Sequence, residues 1–176
     1  QYVVDVVRIN REKHFLYYLL ELVEGVTLSQ WIKQNPMADP TTSMNIIEQI
    51  AQGLRGFHIN DSVHQDLRPS NIMINKDNKI KIVDFGSVYV AGIAEVFSPI
   101  KHDGALGTAS YADPVYLQGR NSGVQGDLYS LGTIAYELFT NRLPYGDAIE
   151  ECSSSHDYDR LRYKSSSKYN PIIPIW

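Results

Sequence analysis

HQDLRPSN (64–71), IMINKDNKIKIV (72–83) and DFG (84–86) follow one another without a break. The apolar runs IMI and IKIV flank the turn-prone Lys76-Asp77-Asn78, which predicts a small hairpin. A loop that enters a hairpin and a loop that leaves it emerge at the same end, so Asp66, Asn71 and Asp84 converge on one cleft. Carboxylate and amide oxygens gathered in this way suit a hard cation such as magnesium, which is commonly held by one or two protein groups together with phosphate oxygens. A carboxylate left free beside them can accept the proton of a hydroxyl nucleophile. The pattern is that of a phosphoryl-transfer site.

On the N-terminal side, YVVDVVRI and FLYYLLELV are rich in β-branched and aromatic residues and are separated by polar NREKH, so two strands of a small sheet open the chain. A short helix is expected around Leu28 to Lys33, after which Asn35-Pro36 and Asp39-Pro40 punctuate the sequence. Asp39 as N-cap, with Pro40 in the first helical position, opens the next helix. There Met44, Ile47, Ile50, Ala51, Leu54 and Phe57 recur at steps of three and four residues and predict one apolar face. On the C-terminal side no period persists from Asp84 to Pro114, so a long irregular segment is expected, and segments of that length tend to be functional or disordered. Asp127 to Thr140 is apolar on nearly every face, the pattern of a helix at a domain's centre, with Asn141 and Pro144 to end it. Beyond Gly146 the composition shifts to Ser, Tyr and charge, and no internal repeat is present.

The 176 residues, 43% hydrophobic and 20% charged, have the balance of one ordinary globular domain. A formal charge of −4 and a pI near 5.7 lack the basic excess that electrostatic binding of nucleic acid requires, so no nucleic-acid partner is expected. Cys152 stands alone and cannot form an internal disulfide, which fits a reducing compartment. No apolar stretch in this segment is long enough to insert into a bilayer. A cytoplasmic location is the expectation, with a membrane tether elsewhere in the parent protein left open.

In order and spacing these stretches resemble the eukaryotic-type protein kinases, over nearly the whole chain. HQDLRPSN is similar to their catalytic loop, Asp84-Phe85-Gly86 to their metal-binding loop and GTASYADP (107–114) to the end of their activation segment. GDLYSLGTIAYELFTNRLPYG (126–146) resembles the buried helix that follows, with Asp127 as the acid bracing the catalytic-loop backbone, and LYYLLELVEG (16–25) resembles the last small-lobe strand and the hinge. The resemblance implies an α+β, protein kinase-like fold, mainly the helical C-terminal lobe. Residues 1–24 would be the remnant of the N-lobe sheet and hinge, and residues 25–176 the C-lobe.

It further implies an ATP-dependent Ser/Thr protein kinase with magnesium as cofactor and a protein as substrate. Asp66 would orient the substrate hydroxyl as catalytic base, and Asn71 and Asp84 would hold magnesium against the phosphates. Arg68 stands where lysine is usual, facing the transferred phosphate, and Thr108 aligns with the threonine that supports the base in Ser/Thr kinases. Leu20 falls at the gatekeeper position, the Glu21 carbonyl and Val23 N–H would meet adenine, and Met73 would pack beneath it. His64 is expected to stack on Phe85, His58 to be structural, the tyrosines to form core and wall, and Lys79 and Lys81 to lie on a solvated strand face. Ser98 is the candidate for activation-segment phosphorylation.

Departures accompany the matches. The chain contains no G-x-G-x-x-G or V-A-x-K motif and stops at Trp176, ahead of the helices that close such lobes, so a fragment inactive by itself is expected. Val115 replaces the glutamate of the usual Ala-Pro-Glu, which implies a weaker anchor for the activation segment, and Gln65 replaces the arginine that pairs with a loop phosphate. HQDLRP, DFGSVYVAGIAE and NPIIPIW are similar to a bacterial group whose kinase domain is fused behind a metal-dependent phosphatase domain, so such a domain is an expected partner. Gln65, Arg68 and Val115 keep a pseudokinase or scaffold lobe in view. A small-molecule kinase of the aminoglycoside or choline type shares the H-x-D-x-x-x-x-N loop, but Thr108, Asp113-Pro114 and GDLYSLG belong to the protein kinase pattern.

Overall fold

The structure is a computed structural model that describes residues 1–12, 15–84, 87–90, 109–120 and 122–173. Strands β1 (Val6–Glu12) and β2 (Phe15–Leu20) pair antiparallel, as the β-rich opening predicts. The first strand starts later than YVVDVVRI implied, because residues 2 to 4 are used elsewhere. The Ile82 N–H donates to the Tyr2 carbonyl at 2.8 Å and the Val4 N–H donates to the Ile82 carbonyl at 3.0 Å. This stretch thereby closes the open edge of the central hairpin, and Val4 is buried there.

After residues 21–25 come β3 (Val26–Thr27) and α1 (Leu28–Gln34), which begins with a capping box between Thr27 and Gln30. Helix α2 (Pro40–His58) opens as expected, with the Asp39 carboxylate accepting the Thr42 N–H at 2.9 Å and Pro40 in the first turn. The short β4 (Ser62–Val63) leads into the loop around Asp66. Strands β5 (Ile72–Ile74) and β6 (Ile80–Ile82) form the predicted hairpin, and β3 adds to its β5 edge. Its turn is organised by Asn75, whose side-chain oxygen accepts the N–H groups of Asp77 and Lys79, both at 2.9 Å. The segment expected to be irregular contains β7 (Tyr89–Val90), paired with β4, because a two-residue strand leaves no periodic trace. Helices α3 (Pro114–Leu117), α4 (Val124–Thr140) and α5 (Ser155–Asp159) complete the chain.

The core lies where α2 meets the hairpin on one side and α4 on the other, through Ile46, Ile50, Leu54, Ile72, Ile82 and Ile134. The α2 stripe is rotated from the predicted one. Met44 is 53% exposed and Ala51 is exposed, whereas Ser43, Ile46, Gln49 and Gly53 are buried. The pattern misled because polar Gln49 belongs to the core: its amide donates to the Asn78 carbonyl at 2.9 Å and its oxygen accepts the Ile80 N–H at 3.2 Å. Gly53 leaves room for Ile82, whose Cδ1 lies 2.7 Å from where a Cβ would stand. Helix α4 ends at Asn141, in left-handed conformation, as predicted. One of its faces is nonetheless open, with Leu128 55% exposed.

Candidate active site

Asp127, fully buried in the first turn of α4, organises the loop from which the site is built. Its carboxylate accepts the main-chain N–H groups of His64 and Gln65, each at 2.9 Å. Nε2 of His58, at the end of α2, lies 2.8 Å from the same carboxylate. Two helices and the loop therefore meet at one acid. Gln65 holds a φ of 65°, and Asp84 a φ of 73°. For residues other than glycine this conformation costs roughly 1–2 kcal/mol, and such strain concentrates at functional positions. The bracing role expected of Asp127 is what the geometry shows; His58 as its third partner was not legible, since 69 residues separate the two.

Asn71 closes the loop on itself. Its amide nitrogen donates to the Asp66 carbonyl at 2.9 Å and to the Asp66 carboxylate at 3.0 Å. The Asn71 carbonyl accepts the Val83 N–H at 2.8 Å, which ties the loop to the strand that delivers Asp84. Asp66, Asn71 and Asp84 thus sit on adjoining, mutually bonded segments, as the hairpin logic requires. Arg68 Nε lies 3.3 Å from Asp66 Oδ2. That pairing gives the loop a cation beside the Asp66 carboxylate.

The orientation of Asn71 bears directly on cation binding. With its nitrogen committed to Asp66, its oxygen has, among the described residues, a long contact of 3.4 Å from the Ser70 hydroxyl. An amide oxygen and a carboxylate are hard donors of the kind magnesium takes alongside water and phosphate oxygens, and Asp84 is exposed.

His64 is wholly buried, and its ring meets that of Phe57 edge-on at 5.5 Å between centroids. Burial pushes its pKa down, against the opposing pull of Asp127, Asp66 and Asp84, so the imidazole is a neutral packing group. The expected stacking partner Phe85 lies outside the described residues, as do Ser98 and Thr108. Among the tyrosines, Tyr116 and Tyr136 are buried, in line with the core-and-wall reading.

Of the two lysines expected on a solvated strand face, Lys79 is exposed and Lys81 is not. Lys81 Nζ lies 2.6 Å from Glu21 Oε1, 3.3 Å from the Val3 carbonyl and 3.8 Å from Asp5. The Lys81 hydrogen bond holds the Glu21 carboxyl below its ordinary pKa. Lys81 is therefore a half-buried tie among β6, the hinge and the chain's start, a correction to its solvated reading. Nothing local in IKIV marks this, because its partners lie 60 residues and more away. Met73 is directly opposite Lys81 in the hairpin register and so shares its face of the sheet. Leu20 is exposed, Glu21 and Val23 are half-buried, and Leu22 is 90% exposed.

At the far side of the loop, Tyr111 donates its hydroxyl to Glu137, and burial raises both pKa values. Among the described residues no helix is long and apolar enough to cross a membrane.

Residues 1–174 match the family described as the protein kinase domain. The chain is 32% identical over 175 residues to the serine/threonine-protein kinase PrkC of Bacillus subtilis, covering 98% of this chain and 26% of that protein. It is 34% identical over 142 residues to the serine/threonine-protein kinase PknB of Mycolicibacterium smegmatis, covering 80% of this chain and 22% of that one. With the serine/threonine-protein kinase Pkn1 of Myxococcus xanthus it shares 35% identity over 136 residues, 74% of this chain and 19% of that protein. The chain thus spans about a quarter or less of the length of these relatives. With its helices, its small antiparallel sheets and the match over residues 1–174, this α+β chain belongs to the protein kinase domain family.

Proposed function

We propose that the protein containing this chain is an ATP-dependent Ser/Thr protein kinase whose catalytic loop is the segment from His64 to Asn71. The observation that carries the reading is the bonded set Asp127, Asn71 and Asp66: a buried acid fixes the loop, and the amide fixes the carboxylate. The named activity of the relatives supports it.

Asp66 accepts a hydrogen bond from the incoming hydroxyl and receives its proton as the new oxygen–phosphorus bond forms and the bond from the γ-phosphorus to the β,γ-bridging oxygen breaks, with ADP as the leaving group. Asn71 keeps the Asp66 carboxylate in one rotamer, so little reorganisation is left for the transition state. Arg68 adds positive charge where negative charge gathers on the transferred phosphoryl group, with a fork geometry that lysine lacks. Asn71 and Asp84 would hold magnesium, which would supply charge neutralisation at the phosphate oxygens. By the kinase pattern Leu20, Glu21, Val23 and Met73 would form the adenine side of the cleft, and Thr108 would take the role of supporting Asp66. We place the lobe in the cytoplasm, where ATP is available, and carry a phosphatase domain fused ahead of it as the reading of the parent's organisation.

Transfer of labelled γ-phosphate from ATP to a protein hydroxyl by the parent, abolished by Asp66→Asn, tests the reading; activity surviving that change rejects it. A scaffold role is the second reading, favoured by Val115 and Gln65. It predicts partner binding that is indifferent to Asp66→Asn and no transfer by the wild type.

A further inference from the structure

Val115 has no carboxylate with which to anchor the segment that follows residue 108, yet residues 109–117 are held firmly. Asp113 accepts the Val115 N–H at 2.9 Å and so caps α3. The Ser130 hydroxyl donates to the Tyr111 carbonyl at 2.8 Å, and Tyr111 donates to Glu137. Ser110, 2% exposed, donates its hydroxyl to Glu150 Oε1 at 2.7 Å.

Glu150 differs from the other anchors in its origin. It follows the 3-10 turn Gly146–Ile149, whose Ile149 is buried, and its own N–H donates to the Asp147 carbonyl at 3.0 Å. Its backbone is fixed independently of the segment it grips. The other side of that segment lies against the catalytic loop, since Asp113 and Tyr116 line a small cavity together with Gln65 and Asp127. Asp113 thereby flanks the loop that carries Asp66.

We propose that Glu150 is a positioning residue for the protein acceptor: through Ser110 it fixes residues 109–113 as a shelf beside the catalytic loop, in place of the ion pair that Val115 cannot make. The proposal rests on the kinase reading and adds to it the residue that fixes the acceptor side. Hydrogen bonds to a carboxylate are roughly twice as strong as neutral ones, and a buried hydroxyl left without its acceptor is destabilised further. Loss of Glu150 therefore loosens the shelf while leaving the adenine side, on β5 and the hinge, untouched.

The test uses the full-length parent with a protein acceptor. In Glu150→Ala the KM for the acceptor rises about fivefold or more, the KM for ATP is unchanged, and the Tm falls because the buried Ser110 hydroxyl loses its acceptor. Glu150→Gln keeps an oxygen that accepts the Ser110 hydroxyl and restores the acceptor KM. Ser110→Ala removes the donor instead and reproduces Glu150→Ala, and the double variant is no worse than either. Amide hydrogen exchange at residues 109–117, which needs no turnover, speeds up in Glu150→Ala and returns to wild-type values in Glu150→Gln. An unchanged acceptor KM, unchanged exchange, or an equal loss in Glu150→Gln overturns the proposal while leaving the kinase reading in place. A wild type that transfers phosphate to no protein, with exchange still responding, overturns both, because the tie then anchors structure alone.

Discussion

Gln65 offers its main-chain N–H to Asp127 at 2.9 Å while holding a φ of 65°, so a buried acid on α4 stabilises a strained residue next to Asp66. Asp127→Ala leaves this N–H and that of His64 without an acceptor, and a buried donor left unpaired costs about 1–3 kcal/mol. The loss in unfolding free energy, read from urea denaturation, is expected to reach about 3 kcal/mol. Asp127→Asn keeps one oxygen acceptor and loses less. Equal losses in the two variants would show that the N–H contacts do not hold the loop.

Gly25, between the hinge and β3, has a φ of 150°, and a Cβ there would stand 2.2 Å from the Ile74 carbonyl oxygen. Neither backbone can yield without breaking the β3–β5 pairing. Gly25→Ala is expected to destabilise the chain by about 2 kcal/mol or more, the scale of backbone strain at a special φ. A Tm within a degree of wild type contradicts the close approach.

The catalytic loop, its hairpin and the Asp39 and Thr140–Asn141 helix ends were legible because each is local: a turn between apolar runs, a cap before a helix, a breaker after one. Asp113-Pro114 repeats the Asp39-Pro40 signal and caps α3 in the same way, although only its place in a family motif drew notice. What stayed hidden was long-range. Gln49 reads as surface until the Asn78 and Ile80 main chain is seen above it, and Lys81 reads as solvated until Glu21 meets it. Leu128 reads as core because its helix is otherwise apolar, yet it is exposed. Single-sequence periodicity cannot report which partner a side chain finds 30 to 80 residues away.

The Glu21–Lys81 pair makes a pH prediction with a definite sign. Lys81 depresses the folded-state pKa of Glu21 below its ordinary 4.5, so the stabilisation is present above that value and is lost as the pH falls through the lower folded value. Between pH 7 and pH 5 wild type and Lys81→Met should therefore differ by a constant amount, and the difference should shrink as the pH drops below about 4.5. Chemical denaturation at each pH measures it. A difference that grows on acidification refutes the pairing.

Gln65 has no charge with which to hold a phosphate, so activity of the parent should not depend on a phosphorylated activation segment. Exhaustive dephosphorylation, or Ser98→Ala, is expected to leave turnover within a few-fold of the untreated enzyme. A tenfold drop, about 1.4 kcal/mol of transition-state stabilisation, would contradict this.

Phosphate transfer by the full-length parent, wild type beside Asp66→Asn and Asp84→Asn, bears most directly on the central claim that residues 64–86 form a working phosphoryl-transfer site. Labelled ATP and a protein acceptor supply the readout, and denaturation curves supply the control for folding. Both variants are expected to lose at least a thousandfold in turnover with denaturation midpoints close to wild type, because the proposed mechanism gives Asp66 the nucleophile and Asp84 the metal, and neither belongs to the core. Near wild-type turnover in either variant, at unchanged stability, would contradict the assignment.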